Sequence, residues 1–348
     1  MSLAPVRIER ARIIGTTVGL RPFRPDGFVV RAVQQDGKLL VHHYGHGGCG
    51  ISLSWGTARM VLDEVLRLAP AGAEHSRAAV IGCGAVGLAT ARVLQDHGIA
   101  VTVYTAAAAT RTTSSVAGAF WAPFSLVGVE QIAPEFAARL ADAGRTAHRT
   151  FTTLAGDERY GVRRLPLYYL DDHPPVLSAE MAAMPELFEG PLLAPGEHPF
   201  GERFALQLEG MAIEPAPYLA ALLDDFLGLG GKLVKREIAS AHDMTALDEA
   251  LIINCAGLGA RTLANDATLS PLKGQLVLLT PQPEIDYMMV APGEGLYMLP
   301  RRDAIVLGTS HQRDCWSLVP DAGETTRILD GHRALCSGVA CFAGSGRR

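Results

Sequence analysis

The 348-residue chain has no apolar run long enough to cross a bilayer and no block of basic residues that would grip a nucleic acid. Its 31 Lys and Arg and 36 Asp and Glu are spread along the sequence, for a net charge of −5. Neither nucleic acid nor membrane is expected as a partner. The six cysteines, at 49, 83, 255, 315, 336 and 341, form no CxxC and follow no pairing logic. They read as small buried hydrophobes rather than as a zinc site or a disulfide frame. His42, His43 and His46 lie close together, but no HExxH or similar ligand spacing occurs, and no metal is expected. A secretion signal is missing too: Arg7, Glu9, Arg10 and Arg12 stand where its apolar centre would be. A cytoplasmic protein is the expectation.

What is present is a 48% apolar chain, enough to bury the core of one large domain or two modest ones. Early segments read as β-structure. "FVVRAVQQDGKLLVHHYG" alternates around Asp36-Gly37, as a hairpin with a tight turn does. "GHGGCG" is a glycine-rich loop, and "ISLSWGTARMVLDEVLRLA" carries Val61, Val65 and Leu68 on one helical face. "PAGAEHS" then reads as a linker. Further helices are expected over 132–156, after Pro217 and at "ETTRILDGHRALC"; "GQLVLLT", "GLYMLPR" and "AIVLGTS" read as successive antiparallel strands.

The strongest local signal is "AAVIGCGAVGLATARVL", residues 78–94, a strand, a glycine turn and a helix followed by the strand "IAVTVY". Gly82, Gly84 and Gly87 occupy the positions of GxGxxG. The first permits the tight turn, the second a close phosphate, the third close helix–strand packing. Ala85 and Val86 sit at the helix start, whose free N–H groups and dipole favour phosphate. The acidic residue expected at the end of the second strand, to hold a ribose, is absent, and Ala106 stands there. The motif alone does not distinguish FAD from NAD. Thr112, Thr113 and Ser114 supply hydroxyls suited to a pyrophosphate, or to an ordinary polar loop. "INCAGLGAR", residues 252–261, ends a strand in small residues and suits a second backbone contact with a bulky cofactor.

Together, GxGxxG, "TTSSVAGAFWAP", "INCAGLGA", "GLYMLPR", "LRPFRP" and "YGHGGCG" resemble the D-amino-acid oxidase family of FAD enzymes, in rotated order. In that family the glycine fingerprint comes first and the RPxRP and YGHGG segments come last. Here the latter lead, so the sequence is similar to a circular permutant. The implied fold is α/β: a Rossmann-like FAD-binding domain with a mostly antiparallel β-sheet substrate domain. The expected boundaries are 1–150 and 237–275 for the FAD domain, with a linker at 69–76, then 151–236 and 276–335 for the substrate domain, and 336–348 as a tail.

The resemblance also implies roles. Arg21 would grip a substrate carboxylate with its planar fork, Tyr297 would meet the same carboxylate, and the Gly48 carbonyl would accept from the substrate amine. Gly47, Gly48, Gly50, Ile51 and Ser52 would surround the flavin ring. Gly118, Ala119 and Val162 would complete the cofactor site. Trp121 would form a wall near the ring, and Arg24 reads as structural. The implied reaction is oxidation of a D-amino acid to an imino acid, then a 2-oxo acid, with dioxygen reoxidising the flavin. The alternatives are a flavin dehydrogenase, a glycine or secondary-amine oxidase on the same scaffold, and a non-catalytic nucleotide-binding remnant. A homodimer is one assembly compatible with the sequence.

Overall fold

The computed structural model describes residues 3–68, 77–124, 126, 132–201 and 203–345. The expected linker at 69–76 lies outside the described residues. In chain order the elements are β1 (Ile13–Phe23), β2 (Val29–Gln35), β3 (Lys38–Tyr44), α1 (Gly50–Leu68), β4 (Arg77–Ile81), α2 (Ala85–Gln95), β5 (Ala100–Thr105) and α3 (Pro134–Leu154). There follow β6 (Val162–Asp171), α4 (Ala179–Ala182), β7 (Leu192–Leu193), β8 (Phe204–Ile213), α5 (Pro215–Gly228), β9 (Lys232–Lys235), α6 (Ala241–Thr245) and β10 (Leu251–Asn254). The last are α7 (Ala260–Leu263), β11 (Ser270–Leu279), β12 (Met288–Ala291), β13 (Leu296–Pro300), β14 (Ile305–Gly308), β15 (Gln312–Arg313) and α8 (Ala322–Ser345).

Local chemistry explains the boundaries that matter for the site. Asp36 and Gly37 both take positive φ, 50° and 74°, and close β2 onto β3 as a two-residue hairpin pairing Gln35 with Lys38. α3 and α5 each open on a proline, whose missing N–H costs nothing at a first helical position. Helix α2 ends before Gly98, at φ 77°, which turns the chain into β5.

Two sheets result. The six-stranded sheet runs β2-β3-β10-β4-β5-β9, and every neighbour pair in it except β2–β3 is parallel. The nine-stranded sheet runs β1-β11-β14-β13-β12-β6-β8-β7, with β15 beside β11, and only β12–β6 is parallel. This is the expected α/β architecture, a Rossmann-like unit joined to a mostly antiparallel sheet. The large core fills the space between these layers and their helices, from Val80 and Leu88 through Phe151 and Tyr218 to Met288 and Val306. Gly56 on α1 is needed there, because a Cβ would fall on the Ala143 backbone of α3. A second core covers the far face of the larger sheet. In it Leu3, Val6 and Ile8 meet Ile328, Leu329, Leu335 and Cys336 of α8, and the Arg333 Nε donates to the Ile8 carbonyl at 3.0 Å.

The sheets do not divide where the sequence boundaries fall. β1 lies in the larger sheet, paired with β11 from Phe23↔Ser270 to Ile13↔Leu279, although it precedes residue 150. β9 lies in the smaller sheet beside β5, although it precedes 237. Burial of alternating faces decides sheet membership, and a linear boundary cannot express it. The first strand begins only at Ile13 and runs through Arg21 to Phe23. The helix expected to stop at Cys336 runs to Ser345, so the tail predicted from 336 is largely helical.

Candidate active site

The two sheets enclose a cavity of about 760 Å³, within the range of cofactor and ligand sites. One end is the glycine turn between β4 and α2. Gly82 has φ 105°, and a Cβ there would lie 2.5 Å from the Cys255 carbonyl. A Cβ on Gly87 would collide with the Gly82 carbonyl. Both positions therefore accept only glycine. Gly84 is the extended N-cap of α2, and the first-turn amides of that helix have no intrahelical acceptor. The Ala85 N–H donates to Ser114 Oγ at 3.1 Å, which leaves the Ser114 proton for a ligand. The Thr112 hydroxyl donates to the Ala109 carbonyl at 2.9 Å and the Thr113 hydroxyl to the Leu20 carbonyl at 3.1 Å. Of these three hydroxyls, then, only that of Ser114 keeps its proton for an anion.

Beyond the end of β5 the cavity reaches Tyr104, Thr105 and Ala106. Among the described residues the charged side chains lining this part are Arg111, Arg236 and Glu237. Arg236 is placed by β9, its N–H donating to the Thr105 carbonyl at 3.0 Å.

At the other end β1, β13 and the loop before α1 converge. Arg21 and Tyr297 line the same cavity, together with Gly47, Gly48, Gly118 and Phe120. The Arg21 Nε donates to the Leu272 carbonyl at 3.2 Å and its Nη2 to the Ser310 carbonyl at 2.7 Å. Among the described residues it has no carboxylate partner. Desolvation lowers the guanidinium pKa from its ordinary value, as expected of a half-buried cation lining a cavity without a counter-ion. Burial likewise pushes the Tyr297 phenol up to about 12, with Arg21 opposing the rise, so the phenol keeps its proton as a donor. Gly118 leaves room for it, since a Cβ there would collide with the Tyr297 hydroxyl. Arg24, by contrast, is tied to Asp266 at 2.8 Å and to the Gly27 carbonyl at 3.0 Å, a structural role.

The loop "YGHGGCG" is held by buried neutral imidazoles. His43 Nδ1 lies 3.0 Å from Thr90 Oγ1 and His46 Nε2 lies 3.0 Å from Thr57 Oγ1. Burial lowers the His46 pKa to about 3 and that of His43 well below its ordinary value. Among the described residues no group of three or more His, Cys, Asp or Glu is placed to hold a metal ion.

Most residues singled out from sequence therefore share one cavity: Arg21, Gly47, Gly48, Gly50, Ile51, Ser52, Gly82, Gly84, Val86, Gly87, Thr112, Thr113, Ser114, Gly118, Ala119 and Tyr297. Three do not line it. Ala85 is fully buried beneath the turn and reaches the site only through its amide. Val162 lies on β6, paired with Ile213 in the larger sheet, and is not among the residues lining the cavity. Trp121 is core, with its ring stacked 5.7 Å from Phe188 and edge-on 4.7 Å from His148; Phe120 and Phe124 form the aromatic wall instead. Sequence reasoning also missed Glu180, Tyr169 and His311. Each lines the cavity from a segment with no motif.

The family model described as "FAD dependent oxidoreductase" matches residues 77–345. A D-amino-acid oxidase of Rubrobacter xylanophilus is 32% identical over 267 residues, 75% of this chain and 77% of that protein. A D-amino-acid oxidase of Streptomyces coelicolor is 30% identical over 279 residues, covering 75% and 78%. Among solved structures, L-proline dehydrogenase from P. horikoshii superposes with a TM-score of 0.60 at 15% identity, over 76% of this chain and 78% of that one. Glycine oxidase from Geobacillus kaustophilus gives 0.56 at 16% identity, over 76% and 80%. At those identities the two structures speak for the fold.

Proposed function

Since the chain belongs to the FAD-dependent oxidoreductase family, we propose that it oxidises the CH–NH2 group of D-amino acids to imino acids, which water converts to 2-oxo acids and ammonia. The observation that carries this reading is Arg21, a half-buried guanidinium with no carboxylate partner among the described residues, facing the same cavity as the dinucleotide turn. A cation kept out of water without a counter-ion is costly, and a carboxylate-bearing ligand relieves that cost.

The residues fit FAD. Gly82 and Gly87 admit no side chain, Gly84 opens the amides of α2, and Ser114 offers a proton to the pyrophosphate. The loop Gly47–Ser52 would border the ring, and Glu237 supplies a carboxylate at the end where Ala106 has none. FAD held there would supply the acceptor for the Cα hydride and the route by which dioxygen is reduced to hydrogen peroxide.

The protein's part is orientation. Arg21 takes the substrate carboxylate through its remaining N–H groups, while the Leu272 and Ser310 carbonyls fix the plane of the fork. Tyr297 donates a further hydrogen bond to the carboxylate. The Gly48 carbonyl accepts from the α-amine in its neutral form. Holding the substrate at three points sets which face of Cα meets the cofactor and selects one enantiomer.

We also infer a circular permutation. The family match begins at residue 77, yet β1, β3 and α1 lie before it and supply Arg21 and the loop Gly47–Ser52 to the site. The packing of α8 on residues 3–8 supports the idea that the present two ends were once continuous there, the former ends being those now joined through 69–76.

The test is the visible spectrum of the purified protein followed by anaerobic titration with D- and L-alanine. A flavin spectrum bleached by the D-isomer alone is expected. Protein that takes up no added FAD, or a flavin untouched by a broad panel of D-amino acids, would overturn the proposal.

A further inference from the structure

Glu180 is a carboxylate that the reaction does not use. It stands in the first turn of α4, whose N-cap Ser178 accepts from the Met181 N–H at 3.3 Å. Met181 and Met184 are fully buried and fix this short segment against the core. Glu180 itself is only 8% exposed, lines the cavity, and has neither a hydrogen bond nor a salt bridge from its side chain among the described residues. A carboxylate in that setting lacks the partner that normally accompanies burial.

Its position relative to Arg21 is informative. Burial raises the pKa of the Cys49 thiol; Glu180 adds to the rise and Arg21 opposes it, so the thiol feels both charges. Arg21 and Glu180 thus line one cavity, and both lie within electrostatic reach of the Cys49 thiol. Phe124 and Tyr169, with ring centroids 6.1 Å apart, line the same cavity; the Phe124 carbonyl accepts from the Cys49 thiol at 2.8 Å, and Tyr169 feels the charge of Glu180. A substrate held by its carboxylate at Arg21 would send its side chain past apolar ring faces toward a carboxylate.

We propose that Glu180 is a specificity residue that selects D-amino acids with a cationic side chain, the D-lysine and D-arginine class, and rejects acidic ones. The proposal rests on the D-amino-acid reading given above and deepens it. The aliphatic stem packs on Phe124 and Tyr169, while the terminal ammonium or guanidinium neutralises Glu180. An acidic side chain would face Glu180 at close range in a poorly solvated space, where like charges repel strongly.

The test uses the FAD-loaded protein at neutral pH and two pairs of ligands that differ by a single terminal amine. The first pair is D-lysine and D-norleucine, compared by kcat/KM. The second is 6-aminohexanoate and hexanoate, compared by their perturbation of the flavin absorbance, a binding readout that needs no turnover. In the native protein the amine-bearing member of each pair should be favoured by about tenfold or more, as for a desolvated charge pair. In Glu180→Gln that preference should vanish, while D-norleucine and hexanoate stay within about threefold of native. Glu180→Lys should instead favour D-glutamate, and it answers the question should the first variant fold poorly. Equal affinities within each pair in the native protein, or a preference that survives in Glu180→Gln, would overturn the proposal. If no D-amino acid is oxidised, the D-amino-acid reading fails, and the hexanoate pair still decides whether Glu180 selects a cation.

Discussion

Replacing Arg21 by Leu tests the centre of the argument. The guanidinium has two N–H groups engaged by the Leu272 and Ser310 carbonyls, and the rest face the cavity. Removing it deletes a charge-assisted, two-point contact to the substrate carboxylate in a desolvated site. Such losses run to about 2–5 kcal/mol, or roughly 30- to 5,000-fold in kcat/KM. The folded protein should suffer little by comparison. Two carbonyls lose donors, at about 1–3 kcal/mol each where water cannot replace them. Against this, a cation that the fold holds in unfavourable surroundings is removed, as its lowered pKa indicates. The assay is peroxide release from D-alanine at saturating FAD, with the thermal midpoint and flavin content measured in parallel. Arg21→Lys should fall between, because one ammonium cannot serve both carbonyls and both carboxylate oxygens. A kcat/KM within threefold of native for Arg21→Leu, with flavin content intact, would refute the assignment.

Gly87→Ala should abolish FAD retention and lower the thermal midpoint, because the new methyl collides with the Gly82 carbonyl that shapes the phosphate turn; a native flavin-to-protein ratio would count against the cradle. Gly118→Ala should raise KM while FAD stays bound, since its methyl displaces the Tyr297 hydroxyl; unchanged KM for D-alanine would remove that phenol from the carboxylate site. Acid should weaken the fold through His46, whose pKa is about 3 when folded against an ordinary 6.5. The folded pKa is the depressed one, so the contribution is whole above pH 6.5 and is lost as pH falls toward 3, reaching about 2 kcal/mol at pH 5. Urea midpoints at pH 7.5 and 5 measure this, and equal midpoints would contradict a buried neutral imidazole.

The site is assembled from both sheets, and the contributions follow space rather than chain order. Arg21 comes from β1 and is fixed by the Leu272 carbonyl of β11, its antiparallel partner at that register. The phosphate turn follows β4, which lies beside β10, and the Cys255 carbonyl just after β10 closes against Gly82. Arg21 and the Gly82 turn are therefore placed by strand pairings, and strand pairings survive any reordering of loops that keeps the sheets. This explains how "LRPFRP" and "YGHGGCG" can lead the sequence and still reach a cavity built mostly by residues after 77. A chain rearranged to begin at residue 77 and to join α8 back to residue 3 should take up FAD with similar affinity; loss of all uptake by a folded product would show that the present order matters.

What sequence could reveal was set by how local each constraint is. The glycine turn was legible because two backbone collisions fix Gly82 and Gly87 within six residues, with Gly84 between them as the N-cap of α2. The Asp36-Gly37 hairpin was legible because positive φ at two neighbouring residues leaves a short residue list. Constraints that span the fold left weaker marks. Val162 was assigned to the site by resemblance alone, yet β6 sets it beside Ile213 of β8 and outside the cavity lining, a neighbour that nothing in its own segment states. Trp121 sits in a motif beside the ring, yet the chain turns so that Phe120 faces the cavity and the indole meets Phe188. Glu180 had no local signal at all. An acid in "LSAEMAAM" reads as the solvent face of a helix, and only the burial of Met181 and Met184 around it turns that carboxylate inward. Cofactor chemistry was therefore written in short motifs, whereas the feature that would choose among substrates is a tertiary fact. By the same logic, substitutions at Glu180 should change side-chain preference and leave flavin content untouched.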